Sequence, residues 1–518
     1  MLGARPFPRP AGRPAWWYLP LVAAAVAAAV FLPPGVGLGL AAAIPAGVLV
    51  LRHPAWGVYG LVLSVPVQRE ISLAGHGTAT QAVMAGLLFA WGAWMALRQR
   101  RIHLPPFALA LAAYLVVMLA SVIVATSVSA ALAEIARWLV VLLAFVIIVN
   151  TIQTRGQVAG LVACFLIGGA VEAGVGIWQV VTRQVPPSFF VGQGGPPEDL
   201  APRAFGTIGA PNSYAGYLNL TLALALALAV YALAVAGRTL LAELRRRPAA
   251  RTGLWWLAGA AGLTTLTGLM LLALIVSYSR GGLIGLGCGG LGMAVALGRR
   301  AAPALLAIAV STGLLAALYA AGGLPPSVAD RLNSTLSQLQ IYDVRGVEPT
   351  PDTFNQVERL AHWQAAGNMY LSDPWLGVGI GNFNVVYPQF AVAEWPISRG
   401  HAHNYFLHAL AETGLAGLLA YLIVFGVALG AGWRAIRQAA RAASGLAGAV
   451  LVGAFGVVVA FAGHSIFENL HVLNLGIHWA AMIALFYLVP PLLKPPLPAP
   501  RAIGPPPAYA RVPAWRSL

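Results

Sequence analysis

Charge is what this chain has least of. Of 518 residues, only 9% are Asp, Glu, Lys or Arg, against about 25% in soluble domains. That scarcity excludes a water-soluble globular protein. Acids are the rarer sign, 15 against 31 Lys and Arg, for a net charge of +16. Such an excess invites a nucleic-acid reading, but the basic residues come in short clusters between apolar runs. That is the pattern of cytoplasmic membrane loops, so no nucleic-acid partner is expected. Cysteine is nearly absent: Cys164 and Cys288 both sit in apolar stretches. Two such residues exclude a disulfide framework and a CxxC metal site.

What remains is apolar. Hydrophobic residues make up 59% of the chain, in runs near the ~18–20 residues that span a bilayer. Spans are predicted near 17–31, 35–51, 54–67, 80–97, 107–126, 130–150, 157–181, 211–236, 254–277, 281–298, 302–321, 404–430, 446–463 and 473–491, the second and third weak. The fold class is therefore an all-α polytopic integral membrane protein with 12–14 transmembrane helices. With the N-terminus in the cytoplasm, 22 of the 31 Lys and Arg fall on the cytoplasmic side, 8 on the outer side, and Arg137 within a span. Of the 15 acids only Glu243 falls in a cytoplasmic loop. The positive-inside rule thus puts both termini in the cytoplasm and chemically mixed segments outside. The chain divides into a basic segment 1–16, with 17–31 an uncleaved first span, helices over 17–321, an outer loop 322–402, helices over 403–491, and a proline-rich tail 492–518.

The stretch "HAHNYFLHALAETGLAGLL", 401–419, places His401 and His403 at the mouth of a span. Asn404, His408 and Glu412 follow at a spacing of four and form one polar stripe on a helix. Glu412 lies about two turns in, where a carboxylate costs several kcal/mol unless partnered. Gly414 and Gly417 are expected where a neighbouring helix approaches closely. Two imidazoles with no third ligand at metal-motif spacing lead us to expect no metal site and no cofactor. In "VSYSRGGL", Arg280 stands beside Ser279, Gly281 and Gly282, which are expected to leave the backbone open to a phosphate. Arg203 is a second candidate anion contact, and Asn212, after Pro211, reads as a helix cap or a site residue.

The outer loop holds "VERLAHWQAAGNMYLSD", an amphipathic helix with Val357, Leu360, Ala361 and Met369 on one face and with Arg359 and Trp363. Gly377, Gly379 and Gly381 follow Asp373–Pro374 and are expected to turn the loop back against the membrane. Arg137 and Glu172 are intramembrane charges that either pair or line a path. His464, Glu468 and His471 lie on the same outer face.

His403-Asn404, nine residues, then Gly414-x-x-Gly417 resembles the H-[N/S/Q]-x9-G-x-x-G signature of the O-antigen ligase and O-antigen polymerase superfamily. "SRGG" at 279–282, Arg359-x3-Trp363 and "SDPWLGVGIGNF" at 372–383 are similar to that family too, in its order. The resemblance implies a fold like that of the C-type glycosyltransferases. It implies a metal-independent, inverting glycosyltransferase, O-antigen ligase-like, in the bacterial inner membrane with an extracytoplasmic active site. The donor would be a glycan on undecaprenyl diphosphate, the acceptor lipid A–core or another cell-envelope molecule, as in lipopolysaccharide and polysaccharide biosynthesis. His403, Arg280 and Arg359 would be catalytic, with Arg203, Asn404, Glu412, Trp363 and Asn212 around the substrate. The same superfamily leaves a polymerase as the alternative. A small-anion, bicarbonate-like transporter is the alternative of another class, though no internal repeat supports it.

Overall fold

The computed structural model describes residues 47–67, 78–184, 203–246, 252–326, 329–330, 332–333, 340–350, 353–392 and 394–493. Among them the chain is helical. The main helices are α1 (Pro54–Ser64), α2 (Ala79–Leu97), α3 (Pro106–Ser121), α4 (Val128–Thr151), α5 (Arg155–Thr182), α6 (Pro211–Arg246), α7 (Thr252–Val276), α8 (Arg280–Leu297), α9 (Ala302–Ala320), α10 (Phe354–Ser372), α11 (Phe383–Phe390), α12 (Tyr405–Arg441), α13 (Gly445–His464) and α14 (Leu475–Leu488). Ten among the described residues, α2–α8 and α12–α14, are long and apolar enough to cross a membrane. Large apolar side chains such as Trp255, Phe89 and Ile123 are exposed on their outer surfaces, as helices immersed in hydrocarbon require. The polytopic all-helical reading therefore holds. The first expected span, the second up to residue 46, the segment 1–16 and nearly all of the tail lie outside the described residues. The third, at 54–67, read as weak and either re-entrant or short, is short: α1 has 11 residues, and about 1.5 Å of rise per residue leaves it far short of a bilayer.

Glycines set how tightly two of the central helices pack. A Cβ on Gly285 would lie 2.7 Å from the His464 side chain, and one on Gly289 would lie 2.7 Å from the Gly456 carbonyl oxygen. On the facing helix, Gly463 stands against Cys288 at 2.7 Å. These small residues let α8 and α13 approach backbone to backbone, the usual means of association in lipid. The approach brings the start of α8, where Arg280 is the first residue, to the end of α13. Ser279 caps α8 by accepting the Gly282 amide at 3.2 Å.

The helix that follows His403 is two helices. Asn404 caps it by accepting the Leu407 amide at 3.1 Å, and Gly414 breaks it with φ 61° and ψ −165°. The segment 374–378, from the loop that precedes α12, threads through the break. Val378 donates its amide to the Ala411 carbonyl at 2.9 Å, and Leu415 donates to the Pro374 carbonyl at 2.8 Å. A Cβ on Gly414 would lie 2.2 Å from the Trp375 backbone, and one on Gly377 would lie 2.3 Å from the Ala411 oxygen. Gly417 is filled from across the break, by the Thr413 side chain at the end of the first helix. The expectation that Gly414 and Gly417 receive a neighbouring helix is thereby corrected: their neighbours are a loop backbone and a threonine. The nine residues of the motif are the length of the short first helix.

The loop is stitched down at further points. Glu412 accepts the Gly381 and Phe383 amides, each at 2.9 Å. Asn382 accepts the Ser127 amide at 2.6 Å, and Ile380 donates to Ser121 Oγ at 3.1 Å. Gly377, Gly379 and Gly381 all have positive φ, so the expected turn forms. Glu412 thus spends both oxygens on loop amides, with His408 Nε2 3.6 Å away. α10 buries Val357, Leu360, Ala361 and Met369 as its spacing requires, and it packs on α12.

Gly414→Ala is expected to destabilise the protein by at least 1–3 kcal/mol, because that backbone region is essentially reserved for glycine and the new methyl meets Trp375. Gly426→Ala, with nothing within 4 Å, should stay within about 1 kcal/mol of the parent. Thermal unfolding in detergent measures both, and equal melting temperatures for the two variants would contradict the threaded loop.

Candidate functional site

Two fastenings place the residues before α12. The Tyr405 amide donates to the Ser465 carbonyl at 2.8 Å, so the start of α12 is pinned to the end of α13. Below it, Tyr405 stacks in a buried aromatic group with Trp138, Tyr421 and His471, where the Tyr421 hydroxyl and His471 Nε2 are 2.8 Å apart. His403 stands just before this anchor with φ 51°. A left-handed backbone is uncommon outside glycine, and strain of this kind concentrates at functional sites.

The anchor sets His403 against Glu468, in the segment after α13. His403 Nδ1 lies 3.3 Å from Glu468 Oε1, and His401 Nε2 lies 3.3 Å from the same oxygen. The second carboxylate oxygen accepts the Asn212 side-chain amide at 2.7 Å. Asn212 therefore joins the histidines, and the reading of it as a cap gives way to this contact. The other ring nitrogen of His403, Nε2, is buried and has no hydrogen-bond partner among the described residues. His362 of α10 lies edge-on to the His403 ring at 5.5 Å.

Burial pushes the Glu468 carboxyl up. The bond from His403 and the charges of His403, His401 and Arg359 outweigh it, and the group ends well below the usual carboxylate range. Arg359 thus acts on the same carboxylate that holds His403. His401 moves the other way: burial pulls it down to about 3, against the pull of Glu468, so its imidazole is neutral near pH 7.

Arg280 is half-buried. The next residue, Gly281, has room for no Cβ beside Phe467 and His464, at 2.9 and 3.0 Å. The start of α8 therefore abuts the segment that carries Glu468. The expectation that Gly281 and Gly282 leave the backbone open is corrected, because Phe467, His464 and Ala215 fill the space beside them. Arg203 donates Nε to the Ser277 carbonyl at 3.0 Å, which puts it at the α7–α8 junction near Arg280. Trp363 goes elsewhere: its indole packs on the small apolar cluster of Val344, Val357, Leu360, Ala361 and Val392, under the loop that precedes α12. Asn404 serves as the α12 cap and Glu412 as the loop anchor.

Arg137 and Glu172 do not form a pair. Arg137 bonds to Glu134, one turn away on α4, and Glu172 accepts the Thr207 amide at 3.0 Å together with the Thr207 hydroxyl. Each has a hydrogen-bonding partner of its own, Glu134 for Arg137 and Thr207 for Glu172.

Glu468 is the site residue that sequence reasoning noted without giving it a role. Its signal was present: an acid between two apolar runs on the face that carries His403. The O-antigen ligase family matches residues 265–422, a stretch that holds Arg280, Arg359, His403, Gly414 and Gly417 and stops short of Glu468. No curated protein matches the chain.

The two shifts predict acid lability. The unfolded chain protonates His401 near pH 6.5 and the folded chain only near 3, so folding stability falls as pH drops through that window. Glu468 adds to the loss below the ordinary carboxylate range of about 4.3. Melting temperature followed from neutral to acid pH should decline in the parent and decline less steeply in His401→Gln. An unchanged slope in that variant would remove His401 from the account.

Proposed function

We propose, on the O-antigen ligase family match over residues 265–422, that this membrane enzyme moves a glycan from undecaprenyl diphosphate to an acceptor hydroxyl, on lipid A–core or another envelope molecule, at the outer face of the inner membrane. The observation that carries this reading is the state of His403. One ring nitrogen is held by a buried carboxylate, and the other has no hydrogen-bond partner among the described residues, while the Arg359 charge acts on that same carboxylate.

Each residue then has a task. Glu468 accepts a hydrogen bond from Nδ1–H, which fixes the tautomer and leaves the Nε2 lone pair open to the acceptor's proton. The acceptor hydroxyl gives its proton to Nε2, and its oxygen attacks the anomeric carbon. The bond from that carbon to the phosphate oxygen breaks, and the electron pair leaves with the lipid diphosphate. Arg280 and Arg359 hold the departing diphosphate with Arg203 alongside, since guanidinium groups keep their charge and bind phosphate in a bidentate manner. These two cations do the work that a divalent metal does in other transferases, and one displacement inverts the anomeric carbon. The excess of arginine in the loops at the opposite end of the bundle supports an outer position for this end.

In a purified system with lipid-linked glycan and acceptor, His403→Ala should lower transfer by roughly 10²–10⁴-fold with donor binding retained. Arg280→Glu should lose donor binding. Glu468→Gln removes the anion that stabilises the imidazolium formed when His403 takes the proton, so transfer should fall with donor binding retained. Wild-type transfer by His403→Ala would end the base assignment.

A further inference from the structure

The two imidazole nitrogens that face Glu468 are also spaced as the ligands of a metal ion would be. His401 Nε2 and His403 Nδ1 each stand 3.3 Å from Glu468 Oε1. Charge-assisted N–H···O bonds close to about 2.7–2.9 Å. A tetrahedral ion with nitrogen and oxygen ligands at about 2.0–2.2 Å sets those ligands roughly 3.3–3.5 Å apart. The three atoms all lie within 4.8 Å of one another. The carboxylate is also oriented in advance: Glu468 is 5% exposed, and Asn212 holds its second oxygen at 2.7 Å, the kind of outer contact that supports metal ligands. The sequence offered His401 and His403 without a third ligand at motif spacing; the fold brings one from sixty-odd residues away.

We propose that His401, His403 and Glu468 form a binding site for one divalent transition-metal ion of the zinc class, and that an ion there switches glycosyl transfer off. Two imidazoles and one carboxylate suit zinc, with the fourth position left to water. Magnesium, which demands six oxygen ligands, is not suited. The positive charge of Arg359 nearby makes the site weaker than a structural zinc centre.

Proton placement explains the switch. The neutral His401 ring carries its proton on Nε2, because Nδ1 accepts the His403 amide at 3.1 Å. When the ion takes Nε2, that proton moves to Nδ1 and the amide bond is lost. When the ion takes Nδ1 of His403, the proton of that ring moves to Nε2. No proton leaves either imidazole. Nε2 of His403, the atom assigned to receive the acceptor proton, is then already occupied. This second half rests on the base assignment above; binding of the ion does not.

The test is made on the full chain in detergent after chelator treatment. Equilibrium dialysis against buffered zinc, with bound metal measured by elemental analysis, should give one zinc per chain. His401→Ala and Glu468→Gln should each abolish uptake or weaken it at least tenfold, and Asn212→Ala should weaken it roughly 10–100-fold. Should either of the first two variants fail to fold, His401→Gln replaces it, with melting temperature as the check. A parent that takes up no zinc, or uptake that survives both substitutions, overturns the site, and neither result depends on glycan chemistry. In the transfer assay zinc should lower the parent rate and chelator restore it. Bound zinc with an unchanged or raised rate overturns the switch.

Discussion

The buried carboxylate of Glu468 is the point at which separate parts of this membrane protein are fastened together. It takes Asn212 from the start of α6 on one oxygen and two imidazoles from the approach to α12 on the other. A buried charge is costly unless it is paired and hydrogen-bonded. The carboxylate therefore holds these segments in one arrangement, and the orientation of His403 follows from that constraint. The pinning of Tyr405 to Ser465 and the aromatic group beneath it make the arrangement rigid from the other side.

Glu412 does comparable work for the loop that precedes α12. Its oxygens bind the amides of Gly381 and Phe383, where the loop folds back through the break at Gly414. The loop carries Arg359 on α10, so its docking decides where that guanidinium stands relative to His403. Within an apolar environment, two acids thus organise the end of the bundle. One sets the histidines, and the other sets the segment that brings a cation to them. Arg280 reaches the same end by a different route, the close glycine-lined packing of α8 on α13.

The membrane class, most of the helices and their apolar outer surfaces were legible in the sequence. Runs of this length leave no other way to satisfy backbone hydrogen bonds in hydrocarbon. The face of α10 was legible for the related reason that helical periodicity marks the buried side. Local chemistry was harder to read. Gly414 looked like a place for a neighbouring helix, because a glycine in an apolar run has two uses and only the threaded loop shows which applies. Asn212 looked like a cap because its neighbour is proline, yet its side chain turns to an acid more than two hundred residues away.

Composition and periodicity thus determined the membrane class of this chain, most of its spans, and the histidine, arginine and glycine positions that carry its family resemblance. These depend on hydrophobicity and spacing along one helix, which a sequence states directly. Only the tertiary structure decided that Glu468 partners His401 and His403, that Trp363 belongs to a small core, and that Arg137 and Glu172 stand apart. Those outcomes depend on which helix ends meet in space. Contacts between segments far apart in the chain, set by glycine-lined packing and by the need to partner buried charge, leave no local periodic trace.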